Sequence, residues 1–239
     1  MADVSTKPVA LVTGGAGFIG SAIVAVLQAQ GHHVAVLDRS GDYAVDLADE
    51  ASVRQAARAV LADFGRCDVI VHAAASFELS ALPDLTAEIF RRVIAVNVES
   101  ALWLIQELSP AMTERHFGRI VFIVSDTFFN PPPVPNMLPY VTSKGALIGA
   151  ARTLARALGP EGITVNCVAP GMTPPPGGGM GPDMAAIEEQ LVEDVRQRQA
   201  VPRSLVPADV ANVVGFLARP EAEALTGQTI CPDGGLVFR

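Results

Sequence analysis

Two hydrophobic patterns alternate along the chain. Short unbroken apolar runs come at intervals: Val9-Ala10-Leu11-Val12, Val34-Ala35-Val36-Leu37, Val69-Ile70-Val71 and Ile120-Val121-Phe122-Ile123-Val124. Their length and β-branched content suit strands buried on both faces. The stretches between them carry apolar residues every three to four positions, the spacing of one helix face. This predicts helices following Phe18-Ile19, over 51–64 (Val53, Ala56, Ala57, Val60, Leu61), from Thr86 to about Leu108, from Tyr140 to Leu158, from Met184 to Gln199 and from Ala208 to Ala218. Gly31 and Gly65 end two of them, and Pro110 is expected to interrupt the long third one. Two further strands are predicted over Gly162 to Ala169 and near Gln228 to Cys231. No linker-like break separates these elements. The alternation implies one domain over 1–239, a doubly wound, mostly parallel sheet with helices on both faces.

The first run leads straight into Thr13-Gly14-Gly15-Ala16-Gly17-Phe18-Ile19-Gly20. Strand, glycine turn and helix in that order form half of a βαβ unit of Rossmann type. One glycine permits a tight turn, another lets backbone approach a pyrophosphate, and Gly20 lets the helix sit close on the strand. Gly14, Gly17, Phe18, Ile19 and Gly20 would then face the phosphates with unpaired N–H groups and a positive dipole end. An ordinary glycine turn would look similar. Asp38 decides between the two, because it ends the next strand 18 positions after Gly20, where a carboxylate can bind ribose hydroxyls.

Composition narrows the picture. Half of the 239 residues are hydrophobic, enough for a substantial core, and no apolar run is long enough to span a membrane. Met1 to Lys7 is a short polar lead with no secretory signal. A formal charge of −8 argues against nucleic acid as a partner. Cys67, Cys167 and Cys231 are isolated, and His32, His33, His72 and His116 form no ligand pattern. No metal site is expected, and a reducing cytoplasm is. The one biased segment, Met172 to Pro182, holds four prolines and four glycines and leaves the carboxyl end of a strand. With the helix after it, about 172–200, it reads as a substrate lid.

Tyr140-Val141-Thr142-Ser143-Lys144 places a phenol and an ammonium on one helix face. A phenol normally titrates near pH 10 and makes a poor catalyst at neutral pH. A nearby positive charge favours phenolate and is expected to lower that value, giving a usable acid–base group for a carbonyl or alcohol. With only two tyrosines and two lysines in the chain, coincidence is a weak explanation.

With these segments in order the chain resembles the short-chain dehydrogenase/reductase family over nearly its whole length. The supporting residues are Thr13 to Gly20, Asp38, Asp46-Leu47, Asn97-Val98, Ser125, Tyr140 to Lys144, Asn166, Pro170-Gly171 and Asp233-Gly234-Gly235. The resemblance implies that Tyr140 exchanges a proton with the substrate oxygen. Lys144 would lower the phenol pKa and bind the nicotinamide ribose, and Ser125 would hold the substrate oxygen. The Asn97 carbonyl would hold a water leading from Lys144 to solvent. Asp46 and Leu47 would meet adenine, Ala73 and Ala74 the ribose, and Pro170-Gly171 the nicotinamide, with Thr173 two positions ahead of the usual amide-binding threonine. The glycine motif and His72-Ala73-Ala74-Ala75 lean towards the family's extended branch, whose added substrate domain this chain is too short to hold. Its tail matches the shorter branch. Ser125 precedes Tyr140 by 15 residues, two more than usual; Thr127 has the usual spacing, but Ser125 sits at the strand end.

The implied activity is hydride transfer between NAD(P) and a secondary alcohol or ketone. A 3-oxoacyl thioester reductase is the second reading, and a non-catalytic dinucleotide-binding regulator the third. Asp38 repels a 2′-phosphate and Arg39 beside it attracts one. The fixed acid outweighs the mobile base, so NAD is expected over NADP. Phe128, Phe129, Met137, Leu138, Met172 and Met180 suggest an apolar or aromatic small-molecule substrate. By resemblance the chain is expected to form a homotetramer, with a dimer second, through its long helices, with Trp103, Leu104, Ala146, Ala150 and Leu154 available to the interface.

Overall fold

The structure, a computed structural model, describes residues 7–132, 134, 136–175 and 185–238. Its strands are β1 (Val9–Thr13), β2 (His33–Asp38), β3 (Tyr43–Ala44), β4 (Val69–His72), β5 (Gly118–Ile123), β6 (Ile163–Val168) and β7 (Thr229–Ile230). Its helices are α1 (Phe18–Ala29), α2 (Glu50–Phe64), α3 (Ala87–Ile94), α4 (Ser100–Glu114), α5 (Leu138–Leu158), α6 (Ala185–Arg198) and α7 (Pro207–Leu217). The strands form one sheet in the order β3-β2-β1-β4-β5-β6-β7. Every pair is parallel. The doubly wound architecture read from the sequence is the one observed. Among the described residues, no helix is long and apolar enough to cross a membrane.

The unbroken apolar runs follow from burial on both faces. Val9 and Leu11 of β1 pack with Val53, Leu104 and Leu147 on one side, against α2, α4 and α5. Ala10 and Val12 face the other side, with Ile23 and Leu27 of α1 and Val210 and Val214 of α7. α1 and α7 lie so close that a Cβ on Gly215 would come within 2.6 Å of Val26 Cγ1. The register sets Thr13 opposite both Leu37 and His72, and His72 opposite Phe122. The carboxyl ends of β2, β1, β4 and β5 therefore finish level, where a doubly wound sheet places its ligands.

Four features differ from the hydrophobic pattern. The long helix expected from Thr86 is divided. α3 starts after Thr86, whose Oγ1 accepts the Ile89 N–H at 3.2 Å, and Ala95–Glu99 form a π turn before α4. Pro110 does not interrupt the helix; α4 continues through it to Glu114. Pro110 and Gln106, whose carbonyl loses its usual donor, both face solvent, so water can replace the missing bond. Residues 43–44, which lie outside the apolar runs, form the edge strand β3. α5 also begins two residues before Tyr140, with Pro139 in its first turn.

Candidate active site

The glycine turn is built as its spacing requires. Gly14 has φ +66°, and a Cβ there would lie 2.8 Å from Ala74 Cα. A Cβ on Gly20 would lie 2.0 Å from the Gly14 carbonyl oxygen, so α1 can approach β1 only with glycine in that place. Gly17 at the N-cap offers no side-chain oxygen, and the first intrahelical bond runs from the Ser21 N–H to the Gly17 carbonyl. The N–H groups of Phe18, Ile19 and Gly20 thus have no acceptor within the helix, a fit for pyrophosphate. Asp38 closes the other side of this turn. Its Oδ2 accepts the Ala16 N–H at 3.1 Å and its Oδ1 the Arg39 N–H at 2.8 Å, while the Arg39 side chain is exposed.

The other residues expected at the cofactor are held by local bonds. Asp46 Oδ1 accepts the Ala48 N–H at 2.9 Å, and Leu47 packs against the core. The N–H groups of Ala73 and Ala74 each donate to Thr13 Oγ1 at 3.2 Å. Pro170 is buried, and a Cβ on Gly171 would come within 2.9 Å of Asp233, so these two residues press on the C-terminal tail. The Thr173 hydroxyl turns back to the Gly171 carbonyl at 3.0 Å. Met180 and most of the predicted lid loop lie outside the described residues.

Beside the cofactor residues, α5 brings Tyr140 and Lys144 under the end of β5. Lys144 is 2% exposed, and its Nζ donates to the Ile123 carbonyl at 2.8 Å. Burial lowers its pKa to about 8. The same Nζ sits 5.3 Å from the centre of the Tyr140 ring. The Tyr140 phenol is nevertheless pushed up to about 12, mainly by burial, with the Ser125 hydroxyl lowering it and Asp126 raising it. The lowering expected from Lys144 is not seen in the protein alone, where loss of water around the buried phenol is the largest influence. Ser125, not Thr127, stands at the strand end. Thr127 donates to Ser125 Oγ through its hydroxyl at 2.8 Å and its N–H at 3.3 Å.

Asn97 is buried in the π turn and serves as a bracket. Its Oδ1 accepts the Ser76 N–H at 2.6 Å, and its Nδ2 donates to the Ser76 carbonyl at 3.0 Å and to Ser143 Oγ at 2.9 Å. Ser143 Oγ donates in turn to the Tyr140 carbonyl at 2.7 Å. The Asn97 carbonyl, which the resemblance gives to a water, lies 3.1 Å from His72 Nε2. A carbonyl only accepts, so Nε2 is assigned the proton, and Nδ1 then accepts from the Thr13 hydroxyl at 3.0 Å. Burial, then the nearby Lys144 charge, push the His72 pKa down to about 3, so the ring is neutral.

Several site residues escaped the sequence reading. Phe77 stands edge-on to the Tyr140 ring at 4.7 Å between centroids and is 56% exposed. Its loop is pinned by the Ser80 N–H, which donates to the Asn136 carbonyl at 2.7 Å. Leu79 and Leu82 are also exposed on this rim, together with Phe128 and Leu138, which the sequence already offered for an apolar ligand. The available signal was Phe77-Glu78-Leu79 leaving the carboxyl end of β4. Phe128 packs edge-on to Phe129 and lies over Gly145 of α5, whose missing Cβ makes the room. Of the helix residues proposed for an interface, Leu104 is buried in its own core, Trp103, Ala150 and Leu154 pack partly against it, and Ala146 is exposed.

Residues 14–237 match a family model described as Enoyl-(Acyl carrier protein) reductase. The chain is 36% identical over 236 residues to the 3-oxoacyl-[acyl-carrier-protein] reductase MabA of Mycobacterium tuberculosis, covering 95% of this chain and 91% of that protein. A solved short-chain dehydrogenase/reductase from Serratia marcescens superposes with a TM-score of 0.84 at 31% identity, covering 98% of both chains. A blue fluorescent protein from a metagenomic library, solved in complex with NADPH, superposes with a TM-score of 0.83 at 29% identity, covering 97% of this chain and 98% of the other.

Proposed function

The chain belongs to the short-chain dehydrogenase/reductase family and is an NAD(P)-dependent oxidoreductase, and we propose that it reduces a ketone carried on an apolar or aromatic small molecule. The observation that carries this reading is the convergence of Tyr140, Ser125 and buried Lys144 at the carboxyl end of β5. The nicotinamide supplies the hydride when bound. The Tyr140 hydroxyl gives its proton to the ketone oxygen, and burial keeps that phenol protonated at neutral pH, the form a reduction consumes. The Ser125 hydroxyl donates a hydrogen bond to the same oxygen and fixes its position. The Lys144 ammonium steadies the phenolate that remains. Asn97 holds the first turn of α5 through Ser143 and so sets the direction of Tyr140.

Phe77, Leu79, Leu82, Phe128 and Leu138 support the apolar substrate. The same rim suits an acyl chain, and the name of the MabA relative favours a 3-oxoacyl thioester as the second reading. Asp38, held by two backbone N–H groups, supports NAD over NADP; the relative bound to NADPH is the counter-indication. The region 172–200 acts as the substrate lid. We place the protein in the cytoplasm as a homotetramer, with Trp103, Ala146, Ala150 and Leu154 at a helix-to-helix interface; a 25 kDa species alone in light scattering would exclude that assembly.

The test is a nicotinamide absorbance assay with acetophenone and ethyl acetoacetate, run on the wild type and Tyr140→Phe. Turnover by the wild type and a loss of about a hundredfold or more in Tyr140→Phe, with cofactor binding kept, is the expected result. Tight cofactor binding without turnover of any carbonyl would favour the non-catalytic regulator.

A further inference from the structure

Ser125 has a single proton to give, and besides the Tyr140 phenol, on which its hydroxyl also acts, the structure sets Asp126 within its reach. Both Thr127 donors point at Ser125 Oγ and occupy its lone pairs. The hydroxyl hydrogen is what remains, and it runs to Asp126 Oδ1 over a long 3.4 Å. A bond of that length holds the hydroxyl loosely enough for it to turn. Asp126 is itself 7% exposed, with its N–H donating to the Pro170 carbonyl at 3.2 Å. Its carboxyl group faces a second buried carboxyl, Asp233, which is fixed by the N–H groups of Gly235 and Val237 at 2.9 Å each.

We propose that Asp126 is a positioning residue for ketone reduction: its carboxylate competes with the substrate oxygen for the Ser125 proton, and Ser125 serves the substrate when Asp126 is protonated. The proposal rests on the ketone-reductase reading of the same site. The titratable or charged groups set against Asp126 among the described residues are Asp233 from the tail and Tyr140 from α5. A carboxylate is a stronger acceptor than a ketone, so the ionised form takes the Ser125 hydrogen. It also sets a negative charge beside the oxygen on which negative charge develops. The protonated form does neither. Burial first, then Asp233, push the Asp126 pKa up to about 6, so the two forms exchange near neutral pH.

The test is kcat/KM for acetophenone at saturating NADH between about pH 5 and about pH 9. The raised pKa means that the protonated, competent form prevails below about 6 and is lost above it. We expect wild-type kcat/KM to fall about tenfold through that range and Asp126→Asn to remove the fall, leaving the other limbs of the profile in place. A purely structural Asp126 would lower activity at all pH without changing the shape; persistence of the fall in Asp126→Asn overturns the proposal. If that variant does not fold, Asp233→Asn carries the test, because removing the facing charge moves the fall to lower pH; an unmoved fall counts against it. If neither acetophenone nor ethyl acetoacetate is reduced, the reductase reading fails. An infrared titration of the Asp126 carboxylic C=O stretch then decides the proposal separately. Ser125→Ala must raise its midpoint, since the donor that favours the ionised form is gone, and an unmoved midpoint overturns the coupling.

Discussion

His72 Nε2 lies 3.1 Å from the Asn97 carbonyl oxygen, and this pair locks the end of β4 to the π turn. Through Thr13 the same ring reaches the start of the glycine turn. One neutral imidazole thus ties the cofactor loop, the sheet and the helix that braces Tyr140.

His72→Ala should destabilise the fold by about 2–4 kcal/mol, because it opens a cavity, takes the acceptor from the Thr13 hydroxyl proton and removes the imidazole donor from the Asn97 carbonyl. Urea unfolding measures this. The pH dependence has a definite sign. His72 titrates at about 3 when folded against 6.5 as the reference, so in that window the unfolded chain binds the extra proton. Its contribution is present above the unfolded value and is lost as pH falls towards the folded one. His72→Gln should show a shallower loss of stability than the wild type over the same window.

Cofactor choice should turn on Asp38. The wild type is expected to prefer NADH over NADPH by at least about tenfold in kcat/KM, about 1.4 kcal/mol of discrimination. Asp38→Ala removes both the repulsion of a 2′-phosphate and the bond to the Ala16 N–H, and should narrow or reverse the ratio. Equal efficiency of the wild type with both cofactors would show that Arg39 dominates.

Gly20→Ala should abolish cofactor binding together with a marked loss of melting temperature. The added carbon would sit 2.0 Å from the Gly14 carbonyl oxygen, and no rotamer relieves a clash with backbone. Isothermal titration with NADH and a thermal melt provide the two readouts. Gly149→Ala on α5, where a Cβ meets nothing within 4 Å, is the control and should be neutral or slightly stabilising.

Phe77→Ala should raise KM for acetophenone about fivefold to tenfold and change kcat less, if the exposed ring forms one wall of the substrate pocket. An unchanged KM would place the substrate elsewhere along the rim.

Much of this arrangement was legible because it depends on local pattern. Residues 9–12 and 120–124 are buried on both faces and therefore read as unbroken apolar runs, and the Gly14-to-Gly20 spacing follows from steric demands within one turn. What remained hidden depends on distant partners. Pro110 is tolerated because its face of α4 meets water, a fact of tertiary placement. The π turn at 95–99 has no signature in hydrophobic spacing, though it is what lets the Asn97 side chain reach Ser76 and Ser143 while its carbonyl meets His72. The spacing of Tyr140 and Lys144 was legible, but the phenol's acidity was not, because burial sets it first and then Ser125 and Asp126, brought in from the end of β5. The contacts of Phe77 and Asp126 carry no local signal, since the ring meets Tyr140 63 positions away, and the carboxyl is raised by its burial and then by Asp233 107 positions away.

The tight seat of α7 on α1 has a consequence for biogenesis. Residues 18–29 leave the ribosome well before the helix that covers Ile23, Val26 and Leu27, which comes from 207–217. In that interval the helix after the glycine turn would carry a bare apolar flank, an adhesive surface for other nascent chains or for chaperones. At several residues per second, that exposure lasts on the order of ten seconds or more per molecule.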